Sequence, residues 1–359
     1  MTRSLQVFAG ERAMKRIQDN GLKPEDIKIM LAASGGPKWF VLSKLDQYLN
    51  QNFLSKAPQS IELIGSSIGA WRMACYAMKD PASAIKRLEA SYIASKHGKN
   101  VTAAEVSASA SEMVRAVLGE EGLTEILSNN NRHLNIVTAL CKGWTASEDP
   151  KTQLLGVLAS AGINAVSRKA FLKFYERVVF SQHVADSPFR DLPQIKGRII
   201  QLGHKNISDS LMASGAIPLV LEGIQNIAGA PHGMYRDGGM VDYHFDLPLK
   251  VDPGIILYPH FSPKLKPGWF DKGLPWRKVS KENYSDVVLL TPTKEFIDML
   301  PYGKIPDRSD FTTLDHIVRE KYWTTAVKMG GRLSDELDEL IASNRLKYEV
   351  KPLIPGELK

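Results

Sequence analysis

Ser67 is the residue of this sequence best placed to do covalent chemistry. It lies in the run 61–71, IELIGSSIGAW, where an apolar stretch of strand length breaks into Gly65-Ser66-Ser67-Ile68-Gly69 and resumes as a helix. A serine hydroxyl becomes a nucleophile toward an acyl carbonyl when a tight strand-to-helix turn lifts it clear of the sheet and a neighbour accepts its proton. Such a turn needs flanking residues with almost no side chain, which Gly65 and Gly69 supply. The helix begins at the nucleophile, so its unpaired N–H groups, that of Ile68 first, and its dipole face the negative charge that develops during attack. Alone, the G-x-S-x-G pattern is also met by a capping serine at an ordinary turn.

Two further glycine turns bear on that serine. Gly35 and Gly36 follow the apolar run 27–33 and lead through Pro37 and Lys38 into a helical pattern. Each carries a backbone N–H that can hold an oxyanion, which Pro37 lacks. Lys38 is a candidate contact for a phosphate or carboxylate, or else a solvated lysine of a first helical turn. Late in the chain, Asp237-Gly238-Gly239 sets a carboxylate on a turn. An aspartate serves as a general base when partial desolvation raises its basicity.

The elements that must hold these residues alternate strand and helix. The pattern predicts a helix over 9–19, closed by Asn20-Gly21, then strand 27–33, a helix from Pro37 to Leu49, strand 60–65 and a helix to about Met78. Helices follow from Asp80-Pro81 to about Lys96 and over 102–118, then strand 133–141, two helices over 149–178, strand 198–203 and a helix over 206–214. The first helix of the 149–178 stretch carries an apolar face, Leu154 to Val166, expected to be core or the wall or lid of a lipid pocket. Strands at 255–258 and 287–290, helices from Asp310 and a loose tail of ten residues complete the chain. Consecutive strand–helix units imply parallel strands with right-handed crossovers. Loops at the carboxyl ends of such strands converge on one face, where ligands bind.

Taken together, the blocks resemble the patatin-like phospholipase family. That family has a glycine-rich oxyanion loop ending in Lys/Arg-Gly, a G-x-S-x-G serine one strand later, an Ala-Ser-x-Ala-x-Pro block and a distant Asp-Gly-Gly/Ala. Here these correspond to 34–39 (SGGPKW), Gly65 to Gly69, 213–218 (ASGAIP) and Asp237-Gly238-Gly239. The resemblance implies a three-layer α/β/α sandwich with a mostly parallel central sheet. It also implies a lipid or other acyl-ester substrate, Ser67 as nucleophile and Asp237 as base in a dyad without histidine. Gly35, Gly36 and Ile68 would be oxyanion donors. It covers residues 34–239 and suggests a catalytic domain 1–309 with a C-terminal helical extension 310–359 packed on it. Ser34 and Trp39 stand where the family usually has glycine; Ser34 is small, whereas Trp39 is expected to put a large ring beside the loop and reshape the acyl pocket. Tyr243-His244 stands where the family often has asparagine. Two other readings stay open: an α/β-hydrolase whose third residue is His244, His260 or His316, and a non-catalytic lipid-binding protein on the same fold.

Composition narrows the classes further. At 359 residues the chain can bury a large core, with 43% hydrophobic and 24% charged residues. Its net charge of +7 is that of a generally basic solvated surface, or else suits an anionic membrane surface as a transient partner. The basic residues are dispersed and form no nucleic-acid motif, so no nucleic-acid partner is expected. Two cysteines, Cys75 and Cys141, cannot build a disulfide framework and point to a reducing compartment such as the cytoplasm. The N-terminus turns charged before an apolar core develops, so no signal peptide is expected, and no apolar run is long enough to span a membrane. No metal or other cofactor is expected: His, Cys, Asp and Glu show no ligand spacing, and the dyad needs none.

Overall fold

The computed structural model describes residues 3–96, 101–192 and 197–354. Eleven strands form one sheet: β1 Leu5–Ala9, β2 Ile27–Ala32, β3 Ile61–Ser66, β4 Arg132–Cys141, β5 Tyr175–Ser181, β6 Gly197–Gln201, β7 Ile224–Gln225, β8 Met234–Asp237, β9 Ile255–Pro259, β10 Val287–Pro292 and β11 Lys351–Pro352. The order is β11-β1-β10-β9-β2-β3-β4-β5-β6, with β7 and β8 off this path. The central run β10-β9-β2-β3-β4 is parallel throughout. Antiparallel strands flank it: β1 beside β10 and β5 beside β4. Helices flank the sheet, so the chain is an α/β sandwich with a mostly parallel sheet.

The central strands are near-continuous apolar runs because a parallel sheet covered by helices is buried on both faces. Every residue of β9 and β10 is buried, as is all of β2 and β3 except Lys28 and Glu62. The nine residues of the helix Ile68–Tyr76 are also all buried. One of them is charged: Arg72 donates to Asp46 through Nε (2.9 Å) and Nη2 (2.8 Å), and the Tyr76 hydroxyl donates to the same carboxylate at 2.9 Å.

Parts of the chain depart from the sequence pattern, among them β7 and β8, which it did not mark as strands. Residues 5–9 form a strand ahead of the helix Glu11–Asn20. Residues 175–178, placed in a helix by sequence, belong to β5, because residues 175–181 pair along β4 from Asn135 to Cys141. The tail is tied down at its start, where Lys351 and Pro352 pair with Phe8 and Ala9; residues 355–359 lie outside the described residues. The C-terminal helices also knit back onto the body. Trp323 is buried with its ring 5.1 Å from that of Phe40, and Glu336 accepts hydrogen bonds from the backbone of Ser4 and Leu5.

Candidate active site

The site is set by registry on β4. Ser66, the last residue of β3, lies opposite Val137. One residue further along β4, Thr138 lies opposite Asp237, the last residue of β8. β8 therefore extends the edge that β3 leaves, and the two turns meet end to end. The Ser67 hydroxyl donates to Asp237 Oδ2 at 2.7 Å.

Ser67 occupies φ 56°, ψ −133°, a conformation that costs a non-glycine residue of order 1–3 kcal/mol and persists only when the surroundings enforce it. The enforcement is local. The Ser67 N–H donates to Ser214 Oγ at 2.9 Å, and that hydroxyl donates onward to the Val137 carbonyl at 2.7 Å. The flanking glycines are required by close approach, since a Cβ on Gly69 would lie 1.9 Å from the Ala32 carbonyl oxygen and one on Gly65 would lie 2.4 Å from that of Gly69. The helix backbone thus rests directly on β2 and β3.

Asp237 is held as firmly. Its Oδ1 accepts from the Gly239 N–H at 2.7 Å and its own N–H donates to Ala216 O at 3.0 Å. A Cβ on Gly238 would sit 2.1 Å from Val137 O, so the Asp-Gly-Gly turn presses on β4. Burial pushes the Asp237 carboxyl above its ordinary range, opposed by the Arg308 charge, the Ser67 and Gly239 hydrogen bonds and Lys272.

The third turn lies alongside. The Ser34 hydroxyl bonds Ser66 Oγ at 2.7 Å, and Ser66 Oγ donates to Asp242 O at 2.7 Å, which leaves Ser34 as the donor in the first bond. Ser34 thereby ties its own turn to the one before Ser67 and to the segment after Asp237. Gly36 has φ +56° and opens a 3₁₀ turn, so its N–H has no partner within that turn. Gly35 leaves no room for a side chain, as a Cβ would lie 2.4 Å from the Phe261 ring. Ile68 starts its helix and lines a cavity beside Ser67. Trp39 corrects the sequence expectation: it is 1% exposed, packs on Phe40 and lines neither cavity at the serine.

Two cavities meet at Ser67. One, of about 320 Å³, is apolar, with Trp71, Val106, Met113, Ile217 and Phe311 in its wall. The other, of about 250 Å³, is polar and presents Lys38, Lys272, Arg308, Asp237 and Asp307. Arg308 borders both. Lys38 reaches Asp307 at 3.3 Å. Lys272 lies 4.0 Å from the centre of the Tyr243 ring, and burial with the repulsion of Lys38 and Arg308 lowers its ammonium to about 8. Neither Lys272 nor Arg308 belongs to a motif, and no signal in the sequence separates them from other surface cations. Ser214 was visible only as part of the 213–218 block.

No known family model matches the sequence, and no curated protein sequence does either. One solved structure is similar to it. This is human GIVD cytosolic phospholipase A2, at 12% identity and a TM-score of 0.35, over 94% of this chain and 62% of that one. The chain thus spans less than two thirds of that protein, and the roles of its residues are argued from its own geometry.

That geometry also places the histidines. Among the described residues, none lines either cavity at Ser67. His244 and His260 are buried, with their imidazoles pushed down by that burial, His260 to about 3. His244 Nδ1 accepts from the Lys266 N–H at 3.0 Å, and His316 sits on a helix surface 3.3 Å from Glu320. No group of three or more His, Cys, Asp or Glu among the described residues is arranged to hold a metal ion. No helix there is long and apolar enough to cross a membrane.

Proposed function

We propose that the protein is a serine acyl hydrolase that cleaves carboxylic esters of lipids through a Ser67–Asp237 dyad, as the sequence blocks resembling the patatin-like family imply. The observation that carries this is the 2.7 Å hydrogen bond from Ser67 Oγ to a buried carboxylate, made by a serine held in a strained strand-to-helix turn.

Ser67 Oγ attacks the acyl carbonyl as its proton passes to Asp237 Oδ2. The tetrahedral oxyanion is stabilised by the N–H groups of Gly35 and Gly36, with Ile68 as a further donor at the helix start. Collapse expels the alcohol, which takes the proton from Asp237, and leaves the acyl group on Ser67. Water then attacks the acyl-enzyme with Asp237 again as base, releasing the fatty acid and restoring the hydroxyl. The raised carboxyl of Asp237 supports this role, since a more basic carboxylate takes the serine proton more readily.

The two cavities divide the substrate. The apolar cavity takes the acyl chain. The polar cavity takes the alcohol portion, and Lys38, Lys272 and Arg308 favour a head group that bears phosphate or another anion. A triad with histidine is disfavoured because His244, His260 and His316 line neither cavity at Ser67, and a purely lipid-binding role by a Ser67–Asp237 pair already in hydrogen-bond contact.

The test is an activity profile over short-chain esters and defined phospholipids for wild type and Ser67→Ala in parallel, together with labelling by a fluorophosphonate. Ser67 should be labelled and Ser67→Ala should lose about 10⁴-fold or more in rate. A folded wild type that neither labels nor hydrolyses any of these esters overturns the reading. Loss at His244→Ala or His260→Ala matching that of Ser67→Ala replaces it with the triad.

A further inference from the structure

The helix Pro150–Val166 is inside out. Its polar residues face the body: Gln153 Nε2 donates to Ser147 O at 2.7 Å, Gln153 Oε1 accepts from the Leu219 N–H at 2.6 Å, and Asn164 Nδ2 donates to Asp271 Oδ1 at 2.7 Å. Ser160 is buried too and bonds its own helix at Gly156 O. Val157 is buried with them and Ile163 half-buried, but the other large apolar residues face out: Leu155 is 59% exposed, Leu158 58% and Val166 88%, with Leu154 beside them. Sequence reading placed this face in the core or over a lipid pocket; it lies instead on the surface. Neighbouring segments enlarge the patch. The turn that bears Trp144, 63% exposed, packs so closely that a Cβ on Gly156 would lie 2.8 Å from the Trp144 carbonyl carbon, and the hydrogen bond from Leu219 to Gln153 ties in exposed Leu219 and Val220.

We propose that this face docks on an anionic lipid surface. Two features select that occupant. The first is charge: from Pro150 to Tyr175 the chain holds Lys151, Arg168, Lys169 and Lys173 and no carboxylate, and the three lysines are exposed. The acids around the patch are largely committed. Glu148 bonds Arg236, Asp149 caps the helix through Thr152, and Glu176 is bridged by Lys142 and Arg198, leaving Glu222 exposed near the loop. An apolar stripe with a basic rim and an exposed tryptophan is the composition that rests in the boundary between head groups and acyl chains of an anionic bilayer. A self-complementary contact between two copies would instead set the same basic rims against each other. The second is continuity: Ile217, Val220 and Leu221 line the apolar cavity that reaches Ser67, so the surface that meets lipid leads along one loop into the site.

Docking is independent of turnover and is measured without it. Full-length Ser67→Ala is floated with vesicles of phosphatidylcholine alone and of phosphatidylcholine with about one third phosphatidylserine. It should bind the anionic vesicles and be released by high salt. The same chain carrying Leu155→Glu and Leu158→Glu should bind about tenfold more weakly or less, since both apolar contacts and charge complementarity are lost. In the chain with Ser67 intact, the two glutamates should leave the melting temperature and the hydrolysis of a water-soluble short-chain ester unchanged. Absence of vesicle binding, or equal binding by the double variant, overturns the proposal even if the hydrolase reading stands. A concentration-dependent dimer that the two glutamates dissolve, without vesicle binding, assigns the face to a second copy and overturns it as well.

Discussion

Two ionisable residues set how the site responds to pH. In the proposed mechanism Asp237 must be ionised to accept the Ser67 proton, and burial raises its carboxyl. Activity on a neutral ester therefore rises with pH through a midpoint above the ordinary aspartate value of about 3.9, and kcat/KM measured from pH 3 upward should show that displaced acidic limb. Asp237→Asn removes the base and should cost about 10⁴-fold in kcat. Lys272 acts at the other end of the range. Its ammonium is lowered to about 8, so its positive charge is present below that pH and lost as pH rises through it. The KM of an ester with an anionic head group should climb across this interval while that of a neutral ester stays level; Lys272→Met should raise the first KM below about pH 8 to near its high-pH value and so erase the climb. A climb of equal size for both esters would remove Lys272 from head-group recognition. Ser214 works through another residue, as a positioning group that holds the Ser67 N–H against β4. Ser214→Ala leaves that buried N–H unpaired, a loss of about 1–3 kcal/mol. Expressed in the active turn, this should lower kcat by about tenfold or more with KM nearly unchanged, and Ser214→Thr should restore part of it.

At the scale of elements, the helix Ile68–Tyr76 starts from Ser67, the proposed nucleophile, and must stay fixed in a wholly buried layer with a charge on it. Asp46 accepts Arg72 in a two-point pair and the Tyr76 hydroxyl as well, so these three hydrogen bonds to the carboxylate all come from this helix. Arg72→Met leaves Asp46 buried and uncompensated and should destabilise the protein by about 3–5 kcal/mol, measured by urea unfolding. The further change Asp46→Leu should recover much of that, because a matched apolar pair avoids the desolvation of two charges. The same contrast explains what was legible in the sequence. β2 and β3 stood out because strands buried on both faces are apolar runs, here closed by glycine turns at 35–36 and 65–69. β8 did not, because its four residues, MYRD, include Arg236, buried only by virtue of Leu221 O and Glu148, partners distant in the chain. β5 was hidden for a related reason: the edge of β4 that recruits it is a tertiary feature. Ser67 and Asp237 were readable as types in motifs, whereas Lys272 and Arg308 reach the site only through the path of the C-terminal third of the chain.

For the whole molecule, the proposed function raises the question of how a basic protein with a recessed Ser67–Asp237 pair would meet a water-insoluble substrate. The net charge of +7 draws it toward anionic surfaces over a range that salt controls, with a Debye length of about 10 Å at 0.1 M and about 3 Å at 1 M. Charge inside the polar cavity acts at contact distance and is partly shielded from ions, so the two contributions separate by ionic strength. Hydrolysis of phospholipid in anionic vesicles should fall steeply between 0.05 and about 0.5 M salt, whereas hydrolysis of a soluble neutral ester should change less than about twofold. Leu155→Glu with Leu158→Glu should flatten the vesicle curve by removing the surface step and leave the soluble-ester curve in place. If the soluble ester shows the same salt dependence as the vesicle substrate, the charge acts at the dyad and not at the lipid surface, and the exposed face of the helix Pro150–Val166 has no part in reaching substrate.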